Sequence, residues 1–270
     1  MEIREKPIGI FDSGIGGLTV AKEIMNLMPH ENIVYFGDTA RVPYGSKSKE
    51  LITRFAREAA SFLMKQDVKM IVIACNTVSA TCLEELREML PVPVVGVIEP
   101  GARAAVKATK NGMIGVIGTE RTVKSGAYEK AIRMLSGTVK IFSKACPLFV
   151  PLVEEGWLDN NVAYFAAKVY LEPLKEEGID TLVLGCTHYP LLKPMLKRIM
   201  GDGVVLVDSA RETAAEVAQI LSERSLKRTG TGPSCYRFFV SDNPEKFIEV
   251  GERFLQRSID LISVVNPELR

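Results

Sequence analysis

The feature that most constrains this chain is a strand-and-helix alternation that occurs twice in the same register. Short apolar, β-branched runs recur at Ile8–Phe11, Ile33–Phe36, Met70–Ala74 and Val94–Val97, then at Ile114–Ile117, Val139–Phe142, Thr181–Leu184 and Val204–Val207. Amphipathic stretches separate them, and strands alternating with helices build parallel sheet. Runs such as Ile71-Val72-Ile73 are apolar at every position, as strands covered on both faces must be. The first strand of each series ends in small polar residues, Asp12-Ser13 and Gly118-Thr119. The third ends in Cys75-Asn76-Thr77 and Cys186-Thr187-His188, at closely similar spacing. The expectation is an α/β protein of two similar parallel-sheet domains, related by a pseudo-twofold axis, with the active site in the cleft between them. Residues 1–98 with 209–270 would form one domain and residues 99–208 the other, with a crossover near Glu99–Gly101.

Three apolar stripes at helical spacing lie between the strands. Val78, Cys82, Leu83, Leu86, Met89 and Leu90 form one. Val123, Ala127, Ala131 and Leu135 predict a single helix. Ala210, Ala214, Val217, Ala218 and Leu221 form a third, with Ser209 and Glu212 spaced as a capping box that would return the chain to the first domain.

Composition removes several function classes. Lys and Arg total 34 against 33 Asp and Glu, a net charge of +1, so the basic excess of a nucleic-acid binder is missing. The one basic cluster, Arg224 with Lys227-Arg228, reads as a solvated surface loop. The longest clean apolar runs, Met70–Cys75 and Val94–Ile98, are far short of the ~20 residues of a membrane span. The first residues carry charges of both signs and no apolar core of a secretory signal. Five widely spaced cysteines without a C-x-x-C pair argue against a disulfide framework or structural zinc, and place the chain in a reducing cytoplasm.

Open parallel sheets bind ligands beyond the carboxyl ends of their strands. Four segments fall there: Asp12-Ser13-Gly14, Cys75-Asn76-Thr77, Thr119 and Cys186-Thr187-His188. Each offers backbone N–H groups and small polar side chains to a carboxylate or phosphate. Gly14-Ile15-Gly16-Gly17 fails as a dinucleotide fingerprint, because Thr19 stands where the third glycine belongs. Its glycines read as a tight turn approaching a small anion.

Cys82 lies on an apolar stripe, Cys146 precedes Pro147 and Cys235 begins a late strand; all three read as structural. Cys75 and Cys186 occupy equivalent places in the two series. Only Cys186-x-His188 offers a metal-ligand pair, too few for zinc. Thr81 and Leu192 stand where a phosphatase loop needs arginine, and a Cys–His hydrolase would leave one thiol unexplained. Two thiols flanking one carbon suit stereoinversion, one removing a proton as the other donates one. Helix N-termini after each cysteine would help form the thiolate. Asn76, Thr77 and Thr187 would hold a carboxylate as charge grows on it. Asp12 and His188 would orient groups or move protons, the alternatives being a helix N-cap for Asp12 and a structural hydrogen bond for His188. His30 reads as surface loop.

Gly9-Ile-Phe-Asp-Ser-Gly-Ile-Gly-Gly-Leu18, Gly37-Asp-Thr-Ala-Arg-Val-Pro-Tyr-Gly45, Ala74-Cys-Asn-Thr77 and Gly185-Cys-Thr-His-Tyr-Pro190 together resemble the aspartate/glutamate racemase family, and within it the glutamate branch. Gly96-Val-Ile-Glu-Pro100 and Val150-Pro-Leu-Val-Glu-Glu-Gly156 support this. The resemblance runs from about residue 7 to about 222, and the last ~45 residues carry no motif. It implies a cofactor-independent, metal-free racemase in which Cys186 deprotonates L-glutamate and Cys75 D-glutamate. It implies substrate contacts from Asp12, Ser13, Tyr44, Gly45, Asn76, Thr77, Thr187 and His188, with Glu154 as an auxiliary group beside Cys186 and Glu155 the neighbouring alternative. It also implies D-glutamate supply for bacterial peptidoglycan, and a homodimer. Two rivals stand beside it: racemisation of aspartate, and a binding protein that closes on an acidic ligand without turning it over.

Overall fold

The structure is a computed structural model that describes residues 2–267; Met1 and residues 268–270, the outer ends of the expected first domain, lie outside it. The chain alternates β1 (Ile8–Asp12), α1 (Leu18–Leu27), β2 (Ile33–Gly37), α2 (Lys49–Lys65), β3 (Met70–Ile73), α3 (Asn76–Met89), β4 (Val94–Gly96) and α4 (Ile98–Ala108). It continues with β5 (Met113–Gly118), α5 (Glu120–Lys124), α6 (Ala127–Leu135), β6 (Lys140–Ala145), α7 (Phe149–Glu154), α8 (Asn161–Glu176), β7 (Thr181–Gly185), α9 (Lys193–Met200) and β8 (Val205–Asp208). It closes with α10 (Ser209–Glu223), β9 (Tyr236–Val240), α11 (Pro244–Leu255) and β10 (Ile262–Val264).

Two all-parallel sheets result, one ordered β10-β9-β2-β1-β3-β4 and the other β6-β5-β7-β8. Within them β2-β1-β3-β4 and β6-β5-β7-β8 follow the same order, so the two series of strands take equivalent places. Helix α4 carries the chain from the first sheet to the second, and α10 leads back toward it. Burial follows the all-apolar strand pattern. Ile8, Ile10 and Val72 face a core shared with Leu18 and Val217, while Phe11, Ile71 and Ile73 face another with Phe55 and Leu86. The first of these cores continues into Ile117, Leu184 and Cys186, so it joins the two sheets.

Local chemistry overrides the sequence reading at several points. The stripe Val123–Leu135 is two helices, broken where Gly126 takes φ +64°. That break rephases α6, so Tyr128 and Ile132 are buried and Leu135 is exposed. The cap of α10 is Asp208, whose carboxylate accepts from the Ala210 N–H at 2.9 Å; Ser209 is the first helical residue and is buried. Arg228 is no solvated loop residue. Its guanidinium pairs with Glu5 at 2.8 Å, and its backbone N–H donates to Glu31, which also pairs with the buried Lys69. The motif-free C-terminal segment extends the first sheet, with β9 pairing onto β2 and α11 packing on α1.

Candidate active site

Both cysteines of interest sit where a strand stops. Cys75 follows β3 and is the N-cap of α3, its backbone extended and its sulfur approached by the Val78 N–H. The thiol donates to Ser13 Oγ at 3.4 Å. Cys186 follows β7, but no α-helix opens after it. Tyr189–Leu192 is a single 3₁₀ turn, and α9 begins only at Lys193. Pro190 and Pro194 supply no N–H, so each sits in the first turn of its helix. The expected helix N-terminus beside each thiol therefore exists on one side only, and on the other its place is taken by His188.

The two sulfurs line one cavity of about 390 Å³. Ser13, Tyr44, Gly45, Asn76 and Thr77 border it from the first domain; Thr119, Glu154, Thr187 and His188 border it from the second. Asp12 lies beneath the wall. Its Oδ2 accepts from the Gly14 N–H at 2.9 Å, and its carboxylate also meets the backbone N–H of Gly17 at the start of α1. Glu155 is exposed and off the cavity, so Glu154 is the carboxylate at hand. Cys82 and Cys146 are buried elsewhere, and His30 is exposed. Gly14 borders the cavity as expected, but Gly16 and Gly17 face protein. A Cβ on Gly16 would collide with Thr187 Oγ1 and His188 Nδ1, and one on Gly17 with Asp12.

The electrostatics of the two sides differ. Burial, helped by the charge of Asp12, pushes the Cys75 thiol up to about 12, against its hydrogen bonding with Ser13 and the Val78 N–H. Burial therefore favours the neutral thiol at Cys75. On the other side, burial works against a charged His188. The Cys186 sulfur, 3.9 Å from Nδ1, and the Glu154 carboxylate, 2.9 Å from Nε2, outweigh it and raise the imidazole to about 10. Burial likewise raises Asp12, partly offset by the positive charge of His188 across the cleft.

The rest of the wall is built to meet an acceptor. The hydroxyls of Thr77 and Thr119 lie 3.0 Å apart across the two domains, with Thr122 behind them. Asn76 Oδ1 accepts from the Tyr128 hydroxyl at 2.7 Å, leaving Asn76 Nδ2 buried with no partner. Buried polar atoms are nearly always bonded, so a spare donor at a cavity wall marks a place for a ligand oxygen. The Tyr44 phenol is already committed to Asp38, which also accepts from Arg41 and Ser241; Tyr44 shapes the wall rather than offering its hydroxyl. Asp38 lies inside the Gly37–Gly45 motif, but nothing in the sequence signalled its hold on Tyr44. Tyr128 and Phe254, whose ring stands edge-on to His188 at 5.3 Å, were not singled out; Tyr128 had a signal, since Gly126 two residues before it interrupts the stripe, and Phe254 had none. Among the described residues no three His, Cys, Asp or Glu side chains gather as a metal site would need.

Two parallel-sheet domains set paired thiols, an imidazole and an unsatisfied amide donor around one small cavity. The Asp/Glu/Hydantoin racemase model matches residues 19–217, and the chain belongs to that family. Its full-length relatives narrow this further. A glutamate racemase of Geobacter metallireducens is 58% identical over 250 residues, covering 93% of each protein. The crystal structure of a Francisella tularensis glutamate racemase in complex with D-glutamate superposes with a TM-score of 0.93 at 39% identity, over 98% of this chain and 99% of that one. A glutamate racemase isoform of Bacillus anthracis gives 0.94 at 44% identity, over 97% and 98%.

Proposed function

We propose that this chain interconverts L- and D-glutamate by proton transfer between Cys75 and Cys186, with no cofactor. The observation that carries this is the placement of both thiols, one from each domain, on a single cavity at the small end of the usual range for ligand sites. The substrate Cα lies between the sulfurs. One sulfur, as thiolate, takes the α-proton from one face; the other, as thiol, gives its proton to the opposite face. The proton count of the enzyme is unchanged, and only its location moves. For L-glutamate the base is Cys186 and the acid Cys75; for D-glutamate the roles exchange.

The demand is steep, because a turnover near 10 s⁻¹ corresponds to a barrier of about 16 kcal/mol for removing a weakly acidic proton. Cys75, kept protonated by burial, is ready as the acid. A thiolate at Cys186 has the His188 imidazolium beside it, and Glu154 keeps that imidazolium charged. The α-carboxylate is one bond from Cα, so it falls to Asn76, Thr77 and Thr187, the residues adjoining each thiol. These donors meet negative charge as it builds there. The side-chain carboxylate reaches the Tyr44–Gly45 turn and Thr119. Asp12, beneath Ser13, orients the Cys75 side.

The proposal extends to biology on the strength of family membership: supply of D-glutamate for bacterial peptidoglycan, in the cytoplasm, by a homodimer, with domains 1–98 plus 209–270 and 99–208. Its test is incubation of each enantiomer in D₂O. Deuterium entering the α-position as the circular dichroism decays to zero is the expected result. Racemisation of aspartate in place of glutamate would move the assignment to the sister reaction. Thermal stabilisation by glutamate without isotope exchange would leave only a binding protein.

A further inference from the structure

Asn76 poses a problem that its own backbone does not solve. A primary amide has nearly the same outline either way round, yet one end donates and the other accepts. Facing a carboxylate, the N–H end attracts and the C=O end repels. Asn76 is the first residue of α3, and no neighbour on that helix accepts or donates to fix its amide.

The fixing group comes from the other domain. Tyr128 of α6 is buried, lies off the cavity wall and donates its hydroxyl to Asn76 Oδ1 at 2.7 Å. Ser209 sits beside the same phenol, its Cβ and the Tyr128 hydroxyl both against Gly101, and its side chain hydrogen-bonds the tyrosine. The phenol proton goes to Asn76. Burial holds the phenol above its usual range, so the proton stays. The ring is buried and packs close against two glycines. A Cβ on Gly185, the residue before Cys186, would lie 3.0 Å from it, and one on Gly101 would lie 3.2 Å from it. The contacts from Ser209 through Tyr128 to Asn76 end on Asn76 Nδ2, a buried donor at the cavity wall with no protein partner.

We infer that Tyr128 is a positioning residue for the proposed reaction: it holds the Asn76 amide with its N–H end toward the substrate and so selects an α-carboxylate over a neutral α-carboxamide. The inference rests on the racemase reading above. Removing the phenol proton frees the amide to turn, which weakens a carboxylate and leaves a carboxamide, able to pair either way, unaffected.

The test compares glutamate with isoglutamine, its α-carboxamide, on Tyr128→Phe and Ser209→Ala. In Tyr128→Phe, KM for both glutamate enantiomers rises about tenfold, the loss of one oriented charge-assisted hydrogen bond. Turnover stays within roughly threefold and the inhibition constant of isoglutamine within roughly twofold, so discrimination falls about tenfold. Ser209→Ala, which leaves the ring in place, gives the same split with a smaller shift. Unchanged KM, a fall in kcat alone, or equal weakening of both ligands would overturn the inference and leave Tyr128 as a core side chain. Failure of the racemase reading would show separately, as wild-type protein that does not exchange the α-proton.

Discussion

Glu154 Oε1 lies 2.9 Å from His188 Nε2, and this contact spans from α7 to the turn after β7. It explains how an imidazole only 7% exposed holds its proton, since burial alone would strip it.

The pH dependence of stability follows from that pair. His188 moves from an ordinary 6.5 to about 10 on folding, so the folded chain binds more protons between those values. The stabilisation is complete below pH 6.5 and is lost as pH rises through 10. Cys75 adds a loss of the same sign, starting from its ordinary 9.0. Melting curves from pH 6.5 to 9 isolate the histidine. The wild type declines across that range, and His188→Asn and Glu154→Gln decline less. An equal slope in all three would show that His188 is not held charged.

Cys75→Ser and Cys186→Ser each remove one partner of the proposed proton exchange. General acid–base groups contribute about 10²- to 10⁴-fold. Each variant is expected to lose at least 10²-fold in racemisation, followed by circular dichroism, while its melting temperature stays near that of the wild type. Full activity in either would end the two-thiol mechanism.

Gly16 packs against Thr187 and His188 with no room for a Cβ, which would collide with Thr187 Oγ1 and lie 2.5 Å from His188 Nδ1. Gly16→Ala forces the β1–α1 loop away from that half of the site, and activity is expected to fall more than tenfold. Gly203, with nothing within 4 Å of an added Cβ, is the control. Gly203→Ala should keep full turnover, and equal kinetics in the two variants would show that the loop yields without cost to the site.

Lys69 and Glu31 form an ion pair at 2.5 Å, with side chains 0% and 4% exposed, near the start of β1 and far from the thiols. Removing one partner strands a buried charge, at a cost of about 3–5 kcal/mol. Lys69→Met should therefore unfold at markedly lower denaturant, and the double variant Lys69→Met/Glu31→Leu should regain much of the loss. Turnover of the folded fraction should not change. Additive denaturation midpoints would argue that the pair is not coupled.

The eight strands of the two repeated series were legible because parallel strands buried on both faces leave a continuous apolar run, and helices leave a 3.6-residue stripe. Both are local signals. The break at Gly126 blurred one stripe, since a single left-handed residue changes the phase of the next helix without changing its composition. Strands β9 and β10 were faint: β10 is the edge strand, and beside it Tyr236 and Arg237 of β9 are only half-buried.

Taken alone, the sequence determined a doubled parallel α/β architecture and placed two cysteines at equivalent strand ends, because strand periodicity and the polar residues that stop a strand are written in consecutive positions. Only the tertiary structure decided that the two sides of the cleft differ. One thiol sits at a helix N-terminus above Asp12; the other faces an imidazolium held by Glu154. Tyr128, from a different helix, aims the amide beside the first. Apart from Cys186 and His188, these residues meet from tens of positions apart, and a charge or an amide takes its state from whatever surrounds it in space.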